Sequence, residues 1–371
     1  MRESFLESAL IQIIREEIQS AGGVLLFQRF MELALYAPEL GYYERSAGRV
    51  GVDGDFYTSV RVGALFGELI GHHLSQLAPR CDKVPVLIEA GAHDGQLALD
   101  ILTYLDLWQP EIRPTLWLVE PSPIRRQWQE QTLSRFGERI RWLSDLDQLE
   151  RAFPTGYSGL FYANELLDAF PVHRLMWDRK NTRWLAMGVT ATPTGFDWKT
   201  LSPDAVGIHF EELPTVPPAL AEVLPDGFNA EICPQATTWW RQAAGSLKQG
   251  RLLTFDYGLD DEEFFAPQRC EGTLRAYSRH RISGKILDNI GEQDLTAHVH
   301  FTELREAGEG VGLTTQFYGS QRQWLVKRME ATLHDPNRRF PEWNSARVRQ
   351  FQTLTHPEHL GRGFRVLEQG R

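Results

Sequence analysis

A short apolar run, a glycine-containing loop and an amphipathic segment stand out in the pattern of hydrophobic and polar positions. Residues 84–88 are mostly branched and apolar and predict a buried strand. The loop AGAHDG follows at residues 90–95, and apolar residues then recur at helical spacing. Glycines let a backbone pass close to a ligand, and a helix start offers free N–H groups. The pattern therefore predicts the opening strand–loop–helix unit of a nucleotide-binding α/β sheet.

Further apolar runs extend this sheet. Four of them are separated by helical patterns, and two more close the chain, at residues 115–119, 140–143, 159–163, 251–255, 312–318 and 364–368. Between the fourth and fifth core strands, residues 172–235 read as three antiparallel strands with polar turns and then a fourth strand. Five strands with helices between them and a late strand pair are more typical of a seven-stranded methyltransferase sheet than of a dehydrogenase.

This pattern predicts an α/β fold with two additions. Residues 1–80 form an N-terminal extension of helices and a long loop. Residues 81–371 form the core, with insertions at about 172–235 and 259–300, the first of which we expect to be a lid or a substrate wall.

Composition narrows the class of protein. The chain has 371 residues, 42% of them hydrophobic and 24% charged, as in ordinary soluble domains. The net charge of −10 argues against nucleic acid as a partner, because no basic stripe is available to replace phosphate counterions. No apolar run is long enough for a membrane span, and the acidic first helix matches neither a signal nor a transit peptide. Three separated cysteines indicate reduced thiols, so we expect a cytoplasmic protein.

Acidic residues follow the first two core strands. Glu89 ends the first strand and Glu120 ends the second. A carboxylate at the tip of the second strand can accept two hydrogen bonds from a ribose diol. Each residue alone could be a solvated strand-end carboxylate, but the two together, around a glycine loop, favour an adenosyl site. Asp145 follows the third strand and joins this set, whereas the loop lacks the GxGxxG fingerprint of dinucleotide-binding proteins.

The strongest catalytic candidate follows the fourth strand. Asn164 and Glu165 lie where polar residues face the ligand crevice of an open α/β sheet. Asp168, slightly further on, is expected to cap a turn instead.

The loop at residues 37–59 is rich in glycine, aromatic and acidic residues and is longer than a simple connector needs to be. Tyr42 and Tyr43 either clamp a substrate or pin this loop to the core, and the sequence does not favour one alternative. Asp53 and Asp55 lack the other oxygen ligands of a calcium loop.

Two features of the insertions have ambiguous chemistry. Glu231 lies within a predicted strand, where acids seldom occur without a partner, but the pattern favours a solvent-facing side chain. His298 and His300 are expected on one strand face, and two histidines without a third ligand make a poor metal site, so we expect no metal.

Several stretches together resemble the MidA family of S-adenosylmethionine (SAM)-dependent methyltransferases. The resemblance covers almost the whole chain in order, and its pieces are Leu35-Tyr36, Gly41-Tyr42-Tyr43, Gly54-Asp55-Phe56, Thr58-Ser59, Phe66-Gly67-Glu68, Glu89, Gly91, Gly95, Asp100-Ile101-Leu102, Leu118-Val119-Glu120, Asn164 to Val172, Glu231, Cys233-Pro234, Asp256-Tyr257-Gly258, Gly272 to Arg275 and Asp294 to Val299. Each piece is weak, but the combination is highly specific.

The resemblance implies a class I methyltransferase fold, SAM as cofactor and transfer of methyl groups to arginine in a protein; mitochondrial family members act in respiratory complex I assembly. A guanidinium nitrogen is a poor nucleophile, and carboxylates can hold it bidentately against the methyl group. Glu165 and Glu231 would form this pair, with Asn164 beside them. The remaining site residues it implies are, for the cofactor, Glu89, Gly91, His93, Gly95, Glu120, Asp145 and Asn164 and, for the substrate, Tyr42, Tyr43, Asp55, Thr58, Ser59 and His298.

The chain departs from the family pattern in three places. The family loop E-x-G-P-G-R-G is here EAGAHDG, with His93 at the middle glycine. The family's Ser-Pro-Glu is here Ser59-Val60-Arg61, and its His-Val-Asp is His298-Val299-His300. These exchanges bear on the substrate more than on the cofactor.

Three functions remain open on the sequence. The first is an active methyltransferase with a protein substrate, and the second is a methyltransferase fold that has lost catalysis and acts as a binding or assembly module. The third, an NAD-dependent oxidoreductase, is disfavoured by the missing glycine fingerprint. No membrane partner is expected, and a homo-oligomer is compatible with the sequence.

Overall fold

The computed structural model describes residues 2–45, 58–78, 84–208, 213–278, 281–357 and 360–371. The chain forms two compact units. The sheet unit comprises Tyr57–Leu166, Thr237–Gly258 and Glu303–Arg371, and the insertion unit comprises Met1–Phe56, Leu167–Ala236 and Leu259–Thr302. The segment from Tyr57 to the end of the predicted extension thus groups with the sheet, while both predicted insertions group with the N-terminal helices.

The helices are α1 (Arg2–Ser20), α2 (Phe27–Tyr36), α3 (Leu65–Leu77), α4 (Gln96–Trp108), α5 (Pro123–Leu133), α6 (Leu146–Ala152), α7 (Pro218–Val223), α8 (Pro234–Gly245), α9 (Asp261–Phe264), α10 (Phe301–Glu309), α11 (Gln321–Leu333), α12 (Ser345–Thr355) and α13 (Leu360–Gly363). The strands are β1 (Leu25–Leu26), β2 (Val86–Ala90), β3 (Leu116–Val119), β4 (Ile140–Leu143), β5 (Tyr157–Asn164), β6 (His173–Asp178), β7 (Arg183–Thr192), β8 (Gly195–Leu201), β9 (Asn229–Ile232), β10 (Leu247–Leu259), β11 (Arg275–Ser278), β12 (Arg281–Ser283), β13 (Asp294–Thr296), β14 (Val299–His300), β15 (Thr314–Ser320) and β16 (Phe364–Gly370).

The central sheet of the sheet unit has the strand order β15-β16-β10-β5-β2-β3-β4. Strands β2, β3, β4, β5 and β10 are parallel, and β16 is antiparallel to both of its neighbours. The chain leaves β2 toward β3 and β4 and returns on the other side to β5 and β10. The carboxyl ends of β2 and β5 therefore flank the point where the strand order reverses, and open α/β sheets bind ligands at such a point.

Burial on both faces explains why the core strands read as continuous apolar runs. Leu87, Ile88, Leu116, Leu160 and Phe161 are all fully buried, and helices α3 and α4 add their apolar faces to the same core. Each such side chain contributes about 1.5–3 kcal/mol by leaving water. The predicted α/β fold with a large, mostly parallel sheet is confirmed; seven strands follow the main order and β14 pairs with β10 in addition.

Two helices near the C-terminus were not predicted. Helix α11 begins at a capping box: the Ser320 hydroxyl accepts from the Gln323 backbone N–H, and the Gln323 side-chain oxygen accepts from the Ser320 backbone N–H. The sequence Ser-x-x-Gln was the available signal for this helix start. Helix α12 begins after Asn344, whose side chain accepts from the backbone N–H groups of Ala346 and Arg347.

The insertion unit contains the antiparallel sheet β1-β7-β6-β9, with β8 paired to β7, and the small sheet β12-β11-β13. The three antiparallel strands predicted after residue 172 are therefore present as β6, β7 and β8. Strand β14 is Val299–His300, so His300 lies in the strand and His298 precedes it. The expectation that the two histidines share a strand face is therefore wrong. A two-residue strand is too short to show the alternation on which that prediction was based.

Gly250 tests the close approach of the central strands. It pairs with Gly159 of β5, its φ is +130°, and a Cβ atom there would lie 1.9 Å from the Gly159 carbonyl oxygen. We expect Gly250→Ala to lower the free energy of unfolding by about 3 kcal/mol through overlap and backbone strain. Gly195→Ala, where a Cβ would meet nothing within 4 Å, should change it by less than about 1 kcal/mol. Urea unfolding measures both; equal effects would contradict the close approach.

Candidate functional site

The glycine loop, residues 90–95, connects β2 to α4 at the switch point of the sheet. Gly91 and Gly95 have φ values of +70° and +84°, a region that glycine adopts without steric cost. A Cβ atom at Gly91 would lie 2.7 Å from Leu166 Cδ1. Gly91 is thus required by its backbone conformation and by the contact of the loop with the residues that follow β5.

His93, at the middle glycine position of the family loop, has a left-handed backbone conformation. Its φ is +48°, which histidine tolerates better than most residues. Its ring lies 5.8 Å from the Trp128 ring, and Nδ1 lies 3.7 Å from Asp94 Oδ1. The side chain is therefore held by its neighbours on the loop and on α5.

Two departures from the family pattern lie against each other in the sheet unit. Arg61 donates from Nη2 to Asp94 Oδ2 at 2.5 Å. Asp94 occupies the loop position at which the family pattern has arginine, and Arg61 the position at which it has glutamate. Both signs are exchanged, so the two positions still attract each other.

Glu120 follows β3 and is fully buried. Its Oε1 accepts from the backbone N–H of Ser122 at 3.0 Å, and its Oε2 accepts from Gln129 Nε2 at 3.1 Å. The Gln129 amide also donates to the His93 carbonyl at 3.0 Å. These bonds orient the Glu120 carboxylate, and Arg125 Nη1 lies 3.8 Å from its Oε1.

Glu89 is buried at the end of β2 and accepts from the Tyr162 hydroxyl at 2.7 Å. Burial raises the pKa of Glu89 to about 8; the Tyr162 hydrogen bond opposes this rise, and the charges of Asp94 and Glu120 add to it. Glu89 is therefore predominantly protonated at neutral pH and can donate as well as accept.

Asn164 and Glu165 form the polar end of β5. Glu165 has a φ of +51°, an uncommon conformation that costs about 1–3 kcal/mol and is typical of functional sites. It turns the side chain out of the strand while the Glu165 N–H still donates to the Phe255 carbonyl at 2.9 Å. Oε1 accepts from Asn164 Nδ2 at 3.0 Å and from the Ser59 N–H at 3.3 Å.

The second oxygen of Glu165, Oε2, accepts no hydrogen bond from any of the described residues. Burial raises the pKa of Glu165 to about 8; the Asn164 and Ser59 hydrogen bonds oppose the rise, and the nearby charge of Asp256 adds to it. A cation placed at Oε2 would reverse this shift, because it would favour the ionised carboxylate.

Asp256 supports this arrangement and was absent from the predicted site residues. It is fully buried within β10, and its Oδ2 accepts from the Leu166 N–H at 3.2 Å. Gln129 and Tyr162 are the other supporting residues that were missed. Both are ordinary members of a helix or a strand by pattern, and a fully buried amide or hydroxyl is recognised only once its partners are known.

The other predicted residues of the sheet unit have local roles. Asp145 precedes α6 and accepts from the Gln148 N–H at 2.8 Å, as a helix cap. Thr58 precedes the short turn Ser59–Val62. Ser59 is fully buried, and its hydroxyl donates to Gln321 Oε1 at 3.2 Å.

In the insertion unit, Tyr42 is buried and Tyr43 donates from its hydroxyl to Asp294 Oδ2 at 2.9 Å. Burial and the Asp294 charge hold the pKa of Tyr43 well above its ordinary value. The Tyr43 ring also stacks on Tyr36 at 5.5 Å. These contacts favour the alternative in which the tyrosines pin the loop to the core. Asp55 lies outside the described residues.

The expectation that Glu231 faces solvent is wrong, because its side chain is only 2% exposed. Oε2 accepts from the Thr273 N–H at 2.6 Å and from the Thr273 hydroxyl at 2.9 Å. Oε1 lies 3.6 Å from Nε of Arg174, its cross-strand partner. Ala230, Glu231 and Ile232 are all buried, so both faces of β9 are covered, which the sequence alone could not show.

His298 and His300 have separate surroundings. The His298 N–H donates to the Thr273 hydroxyl at 3.2 Å. His300 Nε2 lies 2.6 Å from Asp261 Oδ1, and its ring stacks on Phe264. Within the described ranges no group of three or more His, Cys, Asp or Glu side chains could hold a metal ion.

The residues at the carboxyl edge of the central sheet fit an adenosyl cofactor. Glu120 is a buried carboxylate acceptor that its neighbours orient, and the loop of Gly91 and Gly95 begins at the end of the adjacent strand β2. Asn164 Oδ1 is buried without a hydrogen-bond partner among the described residues. Buried polar atoms are rarely unpaired unless a ligand or water completes them.

Comparison with known proteins agrees with an adenosyl cofactor at this site. The sequence model of a family of S-adenosyl-L-methionine-dependent methyltransferases (Methyltransf_28) matches residues 67–319. Proteins named "Protein arginine methyltransferase NDUFAF7, mitochondrial" are 26% identical in Danio rerio, over 97% of this chain and 86% of that one, and 26% identical in Homo sapiens, over 96% and 82%.

Among solved structures, a COG1565 superfamily member from Burkholderia thailandensis bound to S-adenosyl-homocysteine is 28% identical, with a TM-score of 0.82, over 100% of this chain and 94% of that one. The resemblance drawn from the sequence motifs is confirmed, and so is S-adenosylmethionine as the cofactor.

The expected cytoplasmic location is contradicted, because these curated relatives are named mitochondrial. The expectation depended on cysteine spacing and on the first helix, and neither property reports the compartment in which a folded domain works. No helix in the described part of the chain combines the length and apolarity that a bilayer span needs.

Glu89 makes stability depend on pH. Its pKa of about 8 in the folded chain exceeds its ordinary value of 4.5, so between these values the unfolded chain binds fewer protons and stability falls as pH rises. We expect Glu89→Gln to lose less stability than wild type between pH 5 and pH 8, by up to about 1.4 kcal/mol per pH unit. Urea unfolding at four pH values measures the slopes; equal slopes would contradict the protonated state of Glu89.

Proposed function

From the premise that the chain belongs to this family of S-adenosyl-L-methionine-dependent methyltransferases, we propose that it methylates arginine side chains of a protein substrate. The names of the relatives in Danio rerio and Homo sapiens support arginine as the acceptor. The observation on which the proposal rests is Glu165: one carboxylate oxygen is held in place, and the other accepts nothing from the described residues.

The cofactor is proposed to lie along the carboxyl ends of β2 and β3. Glu120 would accept the two ribose hydroxyl groups, because its carboxylate is already oriented by Ser122 and Gln129. The backbone of Gly91 and Gly95 would line the cofactor. Four further residues would contact it from the loop and from the ends of neighbouring strands: Glu89, His93, Asp145 and Asn164. When bound, S-adenosylmethionine supplies an electrophilic methyl group on a sulfonium sulfur.

Glu165 would position the acceptor. A guanidinium binds a carboxylate through parallel N–H donors, and such charge-assisted bonds are strong in a partly dry site. The raised pKa of Glu165 means that the carboxylate is poorly compensated until a cation arrives, so it favours a positively charged substrate group. Holding one nitrogen in line with the methyl group contributes alignment, which is the main demand of methyl transfer. The Glu165 carboxylate would also stabilise the positive charge of the guanidinium during transfer and accept the proton that the methylated nitrogen releases.

The substrate roles predicted in the insertion unit differ in their support. Tyr42, Tyr43 and Glu231 are held by contacts within the insertion unit, and we propose that they order this unit instead of reacting. Glu231 would fix the Gly272–Thr273 segment, and Thr273 in turn holds the backbone of His298. Thr58 and Ser59 would act beside Glu165, through the Ser59 N–H.

Glu120→Ala tests the cofactor site. We expect the wild-type protein to bind S-adenosylhomocysteine in the micromolar range and the variant to bind at least about 30-fold more weakly, since two bonds to the ribose diol are lost. Calorimetric titration measures both. Wild-type binding that the variant retains would contradict the role of Glu120, and absence of wild-type binding would favour the non-catalytic binding module.

Glu165→Gln tests the catalytic proposal, because it preserves shape and removes the charge. We expect methyl transfer from tritiated S-adenosylmethionine into proteins of a cell extract to fall by about 100-fold or more, with S-adenosylhomocysteine affinity within about threefold of wild type. Glu330→Gln, at an exposed position of α11, is the matched control and should retain full transfer. Unchanged transfer in Glu165→Gln would refute this role.

A further inference from the structure

The short turn Ser59–Val62 contacts both halves of the proposed active site from within the sheet unit. Its first residue donates to Glu165 at 3.3 Å, and its third residue, Arg61, donates to Asp94 at 2.5 Å. Glu165 belongs to the end of β5, and Asp94 belongs to the glycine loop. Within the described residues, every hydrogen bond that the Asp94 and Glu165 side chains accept from outside their own segments comes from this turn.

The turn is itself firmly anchored. The Ser59 hydroxyl donates to Gln321 Oε1 at 3.2 Å, and the Gln321 amide donates to the Leu354 carbonyl at 3.2 Å. After the turn, the Leu65 N–H donates to Gln350 Oε1 at 3.2 Å. Helices α11 and α12 thus hold the turn in place, so that it can act as a fixed point for the glycine loop.

Asp94 transmits the position of the turn to the loop. While Oδ2 accepts from Arg61, Oδ1 accepts from the Gln96 N–H at the start of α4 at 3.1 Å. Burial opposes ionisation of Asp94, but the bond and charge of His93, the charge of Arg61 and the Gln96 N–H together hold its pKa well below its ordinary value. The carboxylate is therefore ionised at neutral pH and joins Arg61 to the first turn of the helix.

We propose that Arg61 is a positioning residue for the cofactor: through Asp94 it fixes the glycine loop in its cofactor-binding conformation and ties that loop to the turn that holds Glu165. The inference rests on the proposed function, since it assigns a role within the same site. Arg61 itself touches neither reacting group. Its side chain is about one-quarter exposed, so an isolated ion pair here would add little stability, and the coupling of two site segments is the larger consequence.

A double-mutant cycle separates this role from simple stabilisation. Arg61→Met removes the charge and keeps the length, and Asp94→Asn removes the charge while its amide oxygen can still accept from Gln96. We expect each variant to bind S-adenosylhomocysteine about fivefold to tenfold more weakly by calorimetry. The double variant should be no weaker than either single variant, because both changes remove the same interaction. Arg61→Lys should recover most of the affinity.

Arg139 and Asp106 provide a matched control pair. They form an ion pair at 2.7 Å whose side chains are about as exposed as those of Arg61 and Asp94. Arg139, however, lies directly before β4, at the amino-terminal end of this strand, whereas the proposed site lies at the carboxyl ends of the strands. Arg139→Met should leave S-adenosylhomocysteine affinity unchanged. Hydrogen exchange of ligand-free protein gives an independent readout: peptides covering residues 89–97 should exchange faster in Arg61→Met and at the wild-type rate in Arg139→Met.

The outcomes distinguish the two proposals. Wild-type affinity in both Arg61→Met and Asp94→Asn, or a double variant as weak as the product of the two single effects, would overturn the positioning role and leave the methyltransferase proposal intact. Absence of S-adenosylhomocysteine binding by the wild-type protein would instead contradict the proposed function, and the exchange measurement would still report whether Arg61 orders the loop.

Discussion

Removal of carboxylates from water at one edge of the central sheet is the constraint on which this structure depends. Glu89, Glu120 and Asp256 are almost or fully buried, and Glu165 is half-buried beside them. Transfer of an ionised carboxylate out of water costs several kcal/mol unless donors replace the lost solvent. The surrounding elements therefore supply hydroxyl, amide and backbone N–H groups at fixed positions, and these groups orient each carboxylate. Burial thereby produces an ordered acidic edge.

The donors are mostly neutral, and this explains the chemistry of the edge. Tyr162, Gln129 and Asn164 can orient a carboxylate without cancelling its charge. Burial raises the pKa values of Glu89 and Glu165 to about 8, and these neutral hydrogen bonds oppose the rise only in part. The edge is suited to two kinds of partner: hydroxyl groups, which require acceptors, and a cation, which requires negative charge. An adenosyl cofactor and a guanidinium supply these two requirements, in agreement with family membership.

The departures from the family pattern have local compensations. His93 adopts a left-handed backbone conformation at a glycine position of the family loop, and its ring lies against Trp128. Arg61 and Asp94 exchange the signs of two positions and keep their attraction. His300 is paired with Asp261 and stacked on Phe264. A chain can depart at single positions and preserve a site when a neighbouring residue accommodates each exchange.

The sequence by itself determined the strands, the glycine loop and the acids at the strand ends. Strands buried on both faces must be apolar throughout, and a residue directly after a parallel strand must lie at the carboxyl edge, so Glu120 and Glu165 could be placed from local order alone. Tertiary structure decided which side chains meet. Glu231 is buried because Arg174 and Thr273 lie opposite it, and Gln129 reaches Glu120 because α5 packs beside the loop. Such pairs join residues of different elements, and the periodicity within one element carries no information about them.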